Sequence, residues 1–472
     1  MRKNLISSLL LLIFCVNKSS FSQSIALDST QIDTTHIATN LRTVWEMIYG
    51  FDGDIWFTER IGKVSKVNPI TKQKVTLLEL SNVYHDAGAG SEAGLLGMAL
   101  HPNMIDTPHV YIVYTYLNSG NVRVRLKRYT YAANSLNNPL TILDNIPGAD
   151  YHNGSRIVIT PDRKIIMTTG DAGNTSLPQT NSSLCGKFLR MNLDGSFPSD
   201  NPIPNSLVWV KGSRNAQGLV LGQNGILYSS EHGPNNDDEI NIINVNNNLG
   251  WPNVTGMCNS PSELQFCTDS SVTEPIKTWT PSIAPAGLDF YNHTAIPEFH
   301  NSLLLVTLKE KDLRVLKLNA NGTAITSEKI YFDNTFHRIR DLCVAPNGDI
   351  YIGTSNHDGR AQSPFPLAND DRIIKISPQN LTTLITKNSS NGIKIFPNPT
   401  SSHLNLDFGN YINLKGYSLK ILNTLSQVIY NQPITQQSET IDLTTFDGNG
   451  IYFLFVNDAQ NKTIEIRKIV LQ

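Results

Sequence analysis

Several polar blocks carry residue types that do chemistry when a scaffold brings them together. His152 sits in Tyr151-His-Asn-Gly-Ser-Arg156, after a Pro-Gly pair. A loop-borne imidazole titrates near neutrality and can serve as a general base. Asp171, in Gly170-Asp-Ala-Gly173 at the end of an apolar run, is a carboxylate of the kind that orients a catalytic imidazole. Arg214, in Lys211-Gly-Ser-Arg-Asn-Ala-Gln-Gly218, joins Lys309, Arg338 and Arg340 as a cationic set. Together they would favour a multiply charged anion. Glu239, in Ser230-Glu-His-Gly-Pro-Asn-Asn-Asp-Asp-Glu-Ile-Asn241, would combine with carbonyls of the Gly-Pro loop to suit a hard cation such as calcium. Each residue alone also has a bland reading: a structural histidine, a solvated Arg-x-Arg strand, a Gly-Asp turn, a solvated acidic loop. Convergence on one face of a scaffold is what separates the two.

The scaffold reads as all-β. Helical periodicity is scarce, and short β-rich runs alternate with Gly, Asn, Asp and Pro. Four segments look alike: Phe51-Asp-Gly-Asp-Ile-Trp-Phe57, Thr160-Pro-Asp-Arg-Lys-Ile-Ile166, Gly222-Gln-Asn-Gly-Ile-Leu-Tyr228 and Ala345-Pro-Asn-Gly-Asp-Ile-Tyr351. Each puts a tight turn before an apolar strand. Their turn residues Asp52, Asp162, Asn224 and Asn347 lie 110, 62 and 123 residues apart. Read as two, one and two units, these intervals give a period of about 60, the scale of a propeller blade with its loops. The spacing predicts a six-bladed β-propeller over 33–378.

The 472 residues suit one large β domain and a smaller one. A formal charge of -2 gives no support for nucleic-acid binding. Arg2 and Lys3 before the apolar run to Val16, with small residues up to Ser22, predict a signal peptide over 1–22. Cys258 and Cys267 are the expected disulfide pair in an oxidising compartment, and Cys343 is expected to be a buried small hydrophobe. A polar linker is expected over 379–391 and a small β-sandwich over 392–472. In that last segment Phe396-Pro-Asn-Pro-Thr400, Gly450-Ile-Tyr-Phe453 and Lys468-Ile-Val470 resemble the signature blocks of the type IX secretion sorting domain. The resemblance implies recognition by that machinery and a secreted or cell-surface destination.

The larger domain resembles the soluble glucose/sorbosone dehydrogenase family, which includes the pyrroloquinoline quinone (PQQ)-dependent aldose sugar dehydrogenases. The carrying blocks are Gly94-Leu-Leu-Gly97 with His101-Pro102, His152-Asn-Gly-Ser-Arg156, Arg214-Asn-Ala-Gln-Gly218, Glu231-His-Gly-Pro-Asn-Asn-Asp-Asp-Glu-Ile-Asn241, Gly250-Trp-Pro252 and Trp279-Thr-Pro-Ser-Ile-Ala-Pro-Ala-Gly287. The resemblance implies oxidation of an aldose at C1 to its lactone, with PQQ and calcium as cofactors and an unknown electron acceptor. It makes His152 the base that takes the C1 hydroxyl proton while hydride passes to the quinone, and Asp171 its partner. Arg214 and Asn215 match groups beside the quinone oxygens, and Lys309, Arg338 and Arg340 match the residues holding the PQQ carboxylates. Gly233 and Pro234 match carbonyl ligands of an active-site calcium. Glu239 and the Leu249 carbonyl match ligands of a second calcium. Trp279 lies in a segment that covers cofactor or sugar in relatives.

Three features depart from the pattern, one being that Gly170-Asp-Ala-Gly173 is followed by Asn174-Thr-Ser176, without the Arg-Asn-Gln of some relatives. Glu92 stands where the glucose dehydrogenases carry Gln, and a negative charge beside an anionic cofactor weakens it unless protonated or paired. The loops are also shorter than in the glucose-specific dimeric members, which points to a broad aldose dehydrogenase and a monomer. Two rival readings use the same scaffold: a non-catalytic binding propeller like the Hedgehog-interacting proteins, and a calcium-dependent lactonase. Neither accounts for the base together with the whole cationic set.

Overall fold

Tight turns set the frame. At Asp52-Gly53, Gly53 takes φ 79° and the Asp52 carboxylate accepts from Trp56 Nε1 at 3.0 Å and Lys66 Nζ at 2.7 Å. Asn347-Gly348 repeats the device, with Gly348 at φ 84° and Asp349 bonded to Lys375 Nζ at 2.6 Å. In the 160s turn Asp162 accepts from Arg190 Nη2 at 2.8 Å. In all three the turn acid reaches a cation on the third strand of its own blade, which fixes hairpin and third strand together.

The structure, a computed structural model, describes residues 23–86, 90–222, 225–379, 393–408, 416–423, 427–446, 448–459 and 463–472. The expected signal peptide, all but Gln379 of the expected linker, and the Asn224 turn lie outside the described residues. The chain divides after Pro378 into two compact units.

The first unit is a six-bladed β-propeller. Blades one to five are four-stranded antiparallel sheets in simple sequence order. Their inner strands are Val44–Tyr49, Leu95–Leu100, Ile157–Ile159, Ala216–Leu221 and Pro285–Tyr291. Blade six has Ile339–Val344 inside, then Ile350–Thr354 and Ile373–Pro378, and the N-terminal strands Gln31–Ala38 and Gln23–Ala26 complete it. The register pairs Thr34 with Ile376 and His36 with Ile374, so the two ends of the domain close the ring in one sheet. Closure leaves few free sheet edges. Between neighbouring blades the strands bury aliphatic clusters, as where Tyr111, Val113 and Leu126 of blade two meet Ile165, Met167 and Leu189 of blade three.

The second unit pairs a three-stranded sheet (Lys394–Phe396, His403–Asp407, Ser438–Asp442) with a four-stranded one (Ser418–Asn423, Val428–Pro433, Gly450–Asn457, Thr463–Leu471). Alternate residues of both, including Leu404, Leu406, Leu419, Ile421, Tyr452 and Leu454, share one core, as a small sandwich requires.

Candidate active site

All six inner strands start at the same mouth of the ring, so the loops that feed them meet there. Glu92 precedes the second inner strand, His152 the third, Arg214 the fourth and Ser282 the fifth. Arg338 and Arg340 lie at the start of the sixth. They line one cavity of about 430 Å³ together with Lys309, His232, Gly233, Pro234, Asp358 and Arg360. That size is ordinary for a cofactor or small-molecule site.

His152 is held rigidly. Its φ is 58°, uncommon for a residue with a side chain. Its backbone N–H donates to Glu92 Oε2 at 3.0 Å, and its carbonyl accepts from Ala172 N at 3.1 Å. The Ala172 turn approaches through Gly170, where a Cβ would stand 1.9 Å from the His152 oxygen. His152 Nδ1 lies 2.8 Å from Asp171 Oδ1. Asp171 is 1% exposed. Burial alone would raise its pKa, but the His152 imidazole, the Gly173 amide and the Trp251 indole outweigh that and hold it below the usual range. An ionised Asp171 only accepts hydrogen bonds, so Nδ1 carries the proton and Nε2 is left as the basic nitrogen.

The cations are unevenly paired. Arg338 gives Asp358 a short two-nitrogen contact, Nε–Oδ2 at 2.8 Å and Nη2–Oδ2 at 2.6 Å, and Nη1 donates to Leu308 O at 2.9 Å. Arg340 is 4% exposed, bonds Gln217 Oε1 at 2.9 Å and stands 4.0 Å from Asp358. Its Nε has no partner among the described residues, and burial pulls its pKa down to about 10. Arg214 lies over the Trp251 ring at 5.3 Å and donates from Nη1 to His232 O at 3.1 Å, and its Nε is also unpartnered. Lys309 is tethered to Ser282 O at 2.8 Å. Five cations and two carboxylates line the cavity, an excess of three positive charges.

Glu92 belongs to this network. Oε2 accepts from His152 N and, at 3.2 Å, from Asn215 Nδ2, while Arg360 Nη1 stands 3.9 Å from Oε1. Burial would raise its pKa, but neighbouring His232 and His152, with Arg340, hold it below the usual carboxylate range. Its charge is therefore present and paired.

A family of known proteins matches residues 41–363, under the description Glucose / Sorbosone dehydrogenase. The chain belongs to this family. By that membership it is an oxidoreductase acting on sugar CH–OH groups. The quinoprotein glucose dehydrogenase B of Acinetobacter calcoaceticus is 29% identical over 426 residues, covering 72% of this chain and 89% of that protein. The solved PQQ-bound aldose sugar dehydrogenase of Streptomyces coelicolor is 29% identical, with a TM-score of 0.63 over 74% of this chain and 99% of its own. A glucose dehydrogenase-like oxidoreductase of Thermus thermophilus is 30% identical, with a TM-score of 0.64 over 73% of this chain and 99% of its own. Residues 394–472 match a secretion-system C-terminal sorting domain, which assigns the chain to type IX export.

The other expected site residues of this dehydrogenase lie at graded distances from the cavity. Asp171 stands behind His152, and Asn215 is buried behind Glu92, bonded to the Gly154 amide at 3.1 Å. Glu239 and Leu249 line a neighbouring void of about 10 Å³ with Glu231, room for one small ion or water. Trp279 is a correction, because it does not line the main cavity. It lies on the outer strand Lys277–Trp279, 7% exposed, and gives its indole N–H to Glu328 at 2.9 Å beside Arg314. That strand pairs with Asp238–Ile243, and Trp279 clusters with Tyr228 and Ile240 of blade four and Leu303 and Leu305 of blade five, in the seam between the blades.

The residue-by-residue reading missed Glu231, His232, Asp358 and Arg360. Glu231 and His232 lie within the Ser230–Asn241 block, beside Gly233 and Pro234, and only that adjacency points to them. Asp358 and Arg360 follow the sixth blade's second strand, and nothing in their local pattern marks them.

Proposed function

We propose that the chain is a PQQ- and calcium-dependent dehydrogenase that oxidises aldoses at C1 to lactones with broad specificity. One observation carries the cofactor assignment. Among the described residues, buried Arg340 has an unpartnered Nε and no carboxylate nearer than 4.0 Å, and the cavity around it has three surplus positive charges. A buried cation left in that state wants an anion. PQQ, with three carboxylates, balances the surplus.

Arg338, Arg340 and Lys309 would hold the carboxylates, and Arg214 with Asn215 would lie beside the quinone oxygens. Gly233 and Pro234 would offer carbonyls to one calcium. Their loop is pinned by Asp238, whose Oδ1 takes the Gly233 amide at 2.8 Å and whose Oδ2 takes the Ala284 amide at 2.8 Å. Glu239, Glu231 and the Leu249 carbonyl would serve a second ion. Burial raises the pKa of both carboxyls, the direction expected for an acidic pair awaiting a cation. When bound, PQQ supplies the hydride acceptor and calcium the charge that polarises it.

The chain's own contribution is positional and basic. His152 Nε2 takes the proton of the sugar C1 hydroxyl. Asp171 holds the imidazole in the right tautomer and stabilises the imidazolium that forms. Glu92, fixed to the His152 amide, adds a second negative charge near that imidazolium.

The test is steady-state turnover. Protein supplied with PQQ and calcium is expected to reduce an artificial acceptor dye with glucose and other aldoses. His152→Ala is expected to lower kcat by about a hundred- to ten-thousandfold with PQQ affinity unchanged. Full activity in that variant would remove His152 from the mechanism.

A further inference from the structure

The candidate active site uses only one end of the axial tunnel. Partway down, Arg156 closes it. Its Nη1 pairs with Glu46 Oε1 at 2.7 Å and Asp341 Oδ1 at 2.9 Å, its Nε donates to Gln217 O at 2.6 Å, and its guanidinium lies over the Trp45 ring at 4.3 Å. Beyond this plug the far halves of the inner strands enclose a second cavity of about 380 Å³. It rivals the active-site cavity and falls in the range of small-molecule sites.

Its walls follow the ring. Blades one, two, three, four and six place Ile48, Leu100, Val158, Val220 and Val344 around the cavity, all half-buried, while blade five places Asp289 there. Below the ring lie Glu46 and Asp341, which share the Arg156 guanidinium. Asp289 accepts instead from the Phe290 amide at 2.7 Å and the Val344 amide at 2.8 Å, and the second and fourth inner strands add no charge. Glu46 is 9% exposed, and its Oε2 has no hydrogen-bond partner among the described residues. Among the described residues no group of three or more His, Cys, Asp or Glu side chains could hold a metal ion. A bare divalent ion therefore lacks a ligand set here. Surplus carboxylate at the base of an aliphatic sleeve fits a different guest.

We propose that this far cavity is a second ligand site, built for a small organic ammonium ion whose apolar body fills the aliphatic ring and whose charge meets Asp289 and Glu46. The active-site cavity, with its surplus of positive charge, would repel the same guest. Without a ligand, protons relieve the excess: burial pushes Asp289 up to about 7 and raises Glu46 above the usual range. The other titratable or charged groups lining the cavity are Arg156, Asp341, Cys343 and Tyr49, and of these only Arg156 is cationic. Ammonium binding near neutral pH therefore displaces protons.

Calorimetric titration of the full chain, loaded with PQQ and calcium, tests this with n-butylammonium as probe and n-butanol and sodium as controls. One butylammonium site is expected, at least about tenfold tighter than butanol, as a charge-assisted contact implies. The heat should vary with buffer ionisation enthalpy, reporting proton release. Asp289→Asn should weaken the amine about fivefold or more, and Val220→Trp, which fills the sleeve, should abolish binding. Both variants should oxidise sugar normally, and His152→Ala should bind the amine as the parent does. Equal affinity for butanol, competition by equimolar sodium, binding that survives Val220→Trp, or no binding at millimolar amine would each overturn the proposal.

Discussion

At φ 58° His152 holds its imidazole out of a left-handed backbone, and the contacts that keep it there are specific. Glu92 is central among them. Glu92→Gln keeps an acceptor for the His152 amide but removes one of the cavity's two negative charges. Its PQQ Kd is expected to fall by about three- to tenfold, read by titration. Glu92→Ala also loses the amide contact, and its kcat is expected to fall at least about tenfold. Equal effects of the two variants would mean that Glu92 acts by charge alone. Asp171 gives a pH signature. Its folded pKa lies below the ordinary value, so its contribution to stability is present above about pH 4 and is lost as pH falls through the folded pKa. The Tm gap between parent and Asp171→Asn should therefore narrow in acid. Asp289 has the opposite sign. Burial raises its pKa to about 7, so the burden of its charge grows as pH rises toward 7. Asp289→Asn is expected to gain more stability relative to the parent at pH 8 than at pH 5, by thermal melts of ligand-free protein.

At the scale of elements, the repeating unit is a turn acid tied to a third-strand cation: Asp52 to Lys66, Asp162 to Arg190, Asp349 to Lys375. The Asp-Gly and Asn-Gly turns were readable because positive φ restricts residue type locally. Their cationic partners were not, because strand pairing chooses them from 14 to 28 residues away. These pairs are partly screened, so Asp52→Asn is expected to lose only about 0.5–1 kcal/mol in denaturant unfolding. The site divides along the same line. His152, Asp171 and the cationic set were legible in chemistry-bearing blocks. Asp358 and Arg360 were not, because only ring closure brings the end of blade six against the loop before blade two, where Arg360 Nη2 reaches Gly90 O at 3.0 Å. Arg156 stood in a quoted block, yet its place as the tunnel plug depends on Glu46, 110 residues earlier. Trp279 is the converse case: Ser282 and Ala284 of its segment line the cavity, while Trp279 itself belongs to the apolar cluster between blades four and five.

For the whole molecule, catalysis and export occupy separate units. Every residue assigned to the reaction lies before Pro378, and the sorting domain begins after it. A chain ending at Pro378 is expected to keep the kcat of the full protein and to lose export, measured by dye assay and by fractionation of the producing cells. The ring explains why so much of one face can be charged: closure satisfies the backbone, so loops at one mouth are free to concentrate five cations. The measurement that bears most directly on the account is a titration of calcium-loaded apoprotein with PQQ, followed by absorbance on adding glucose or another aldose. One tight PQQ site per chain, weakened by Arg340→Ala, and prompt reduction of the bound quinone by sugar are expected. Failure to bind PQQ, or bound quinone that no aldose reduces, would contradict the proposed function.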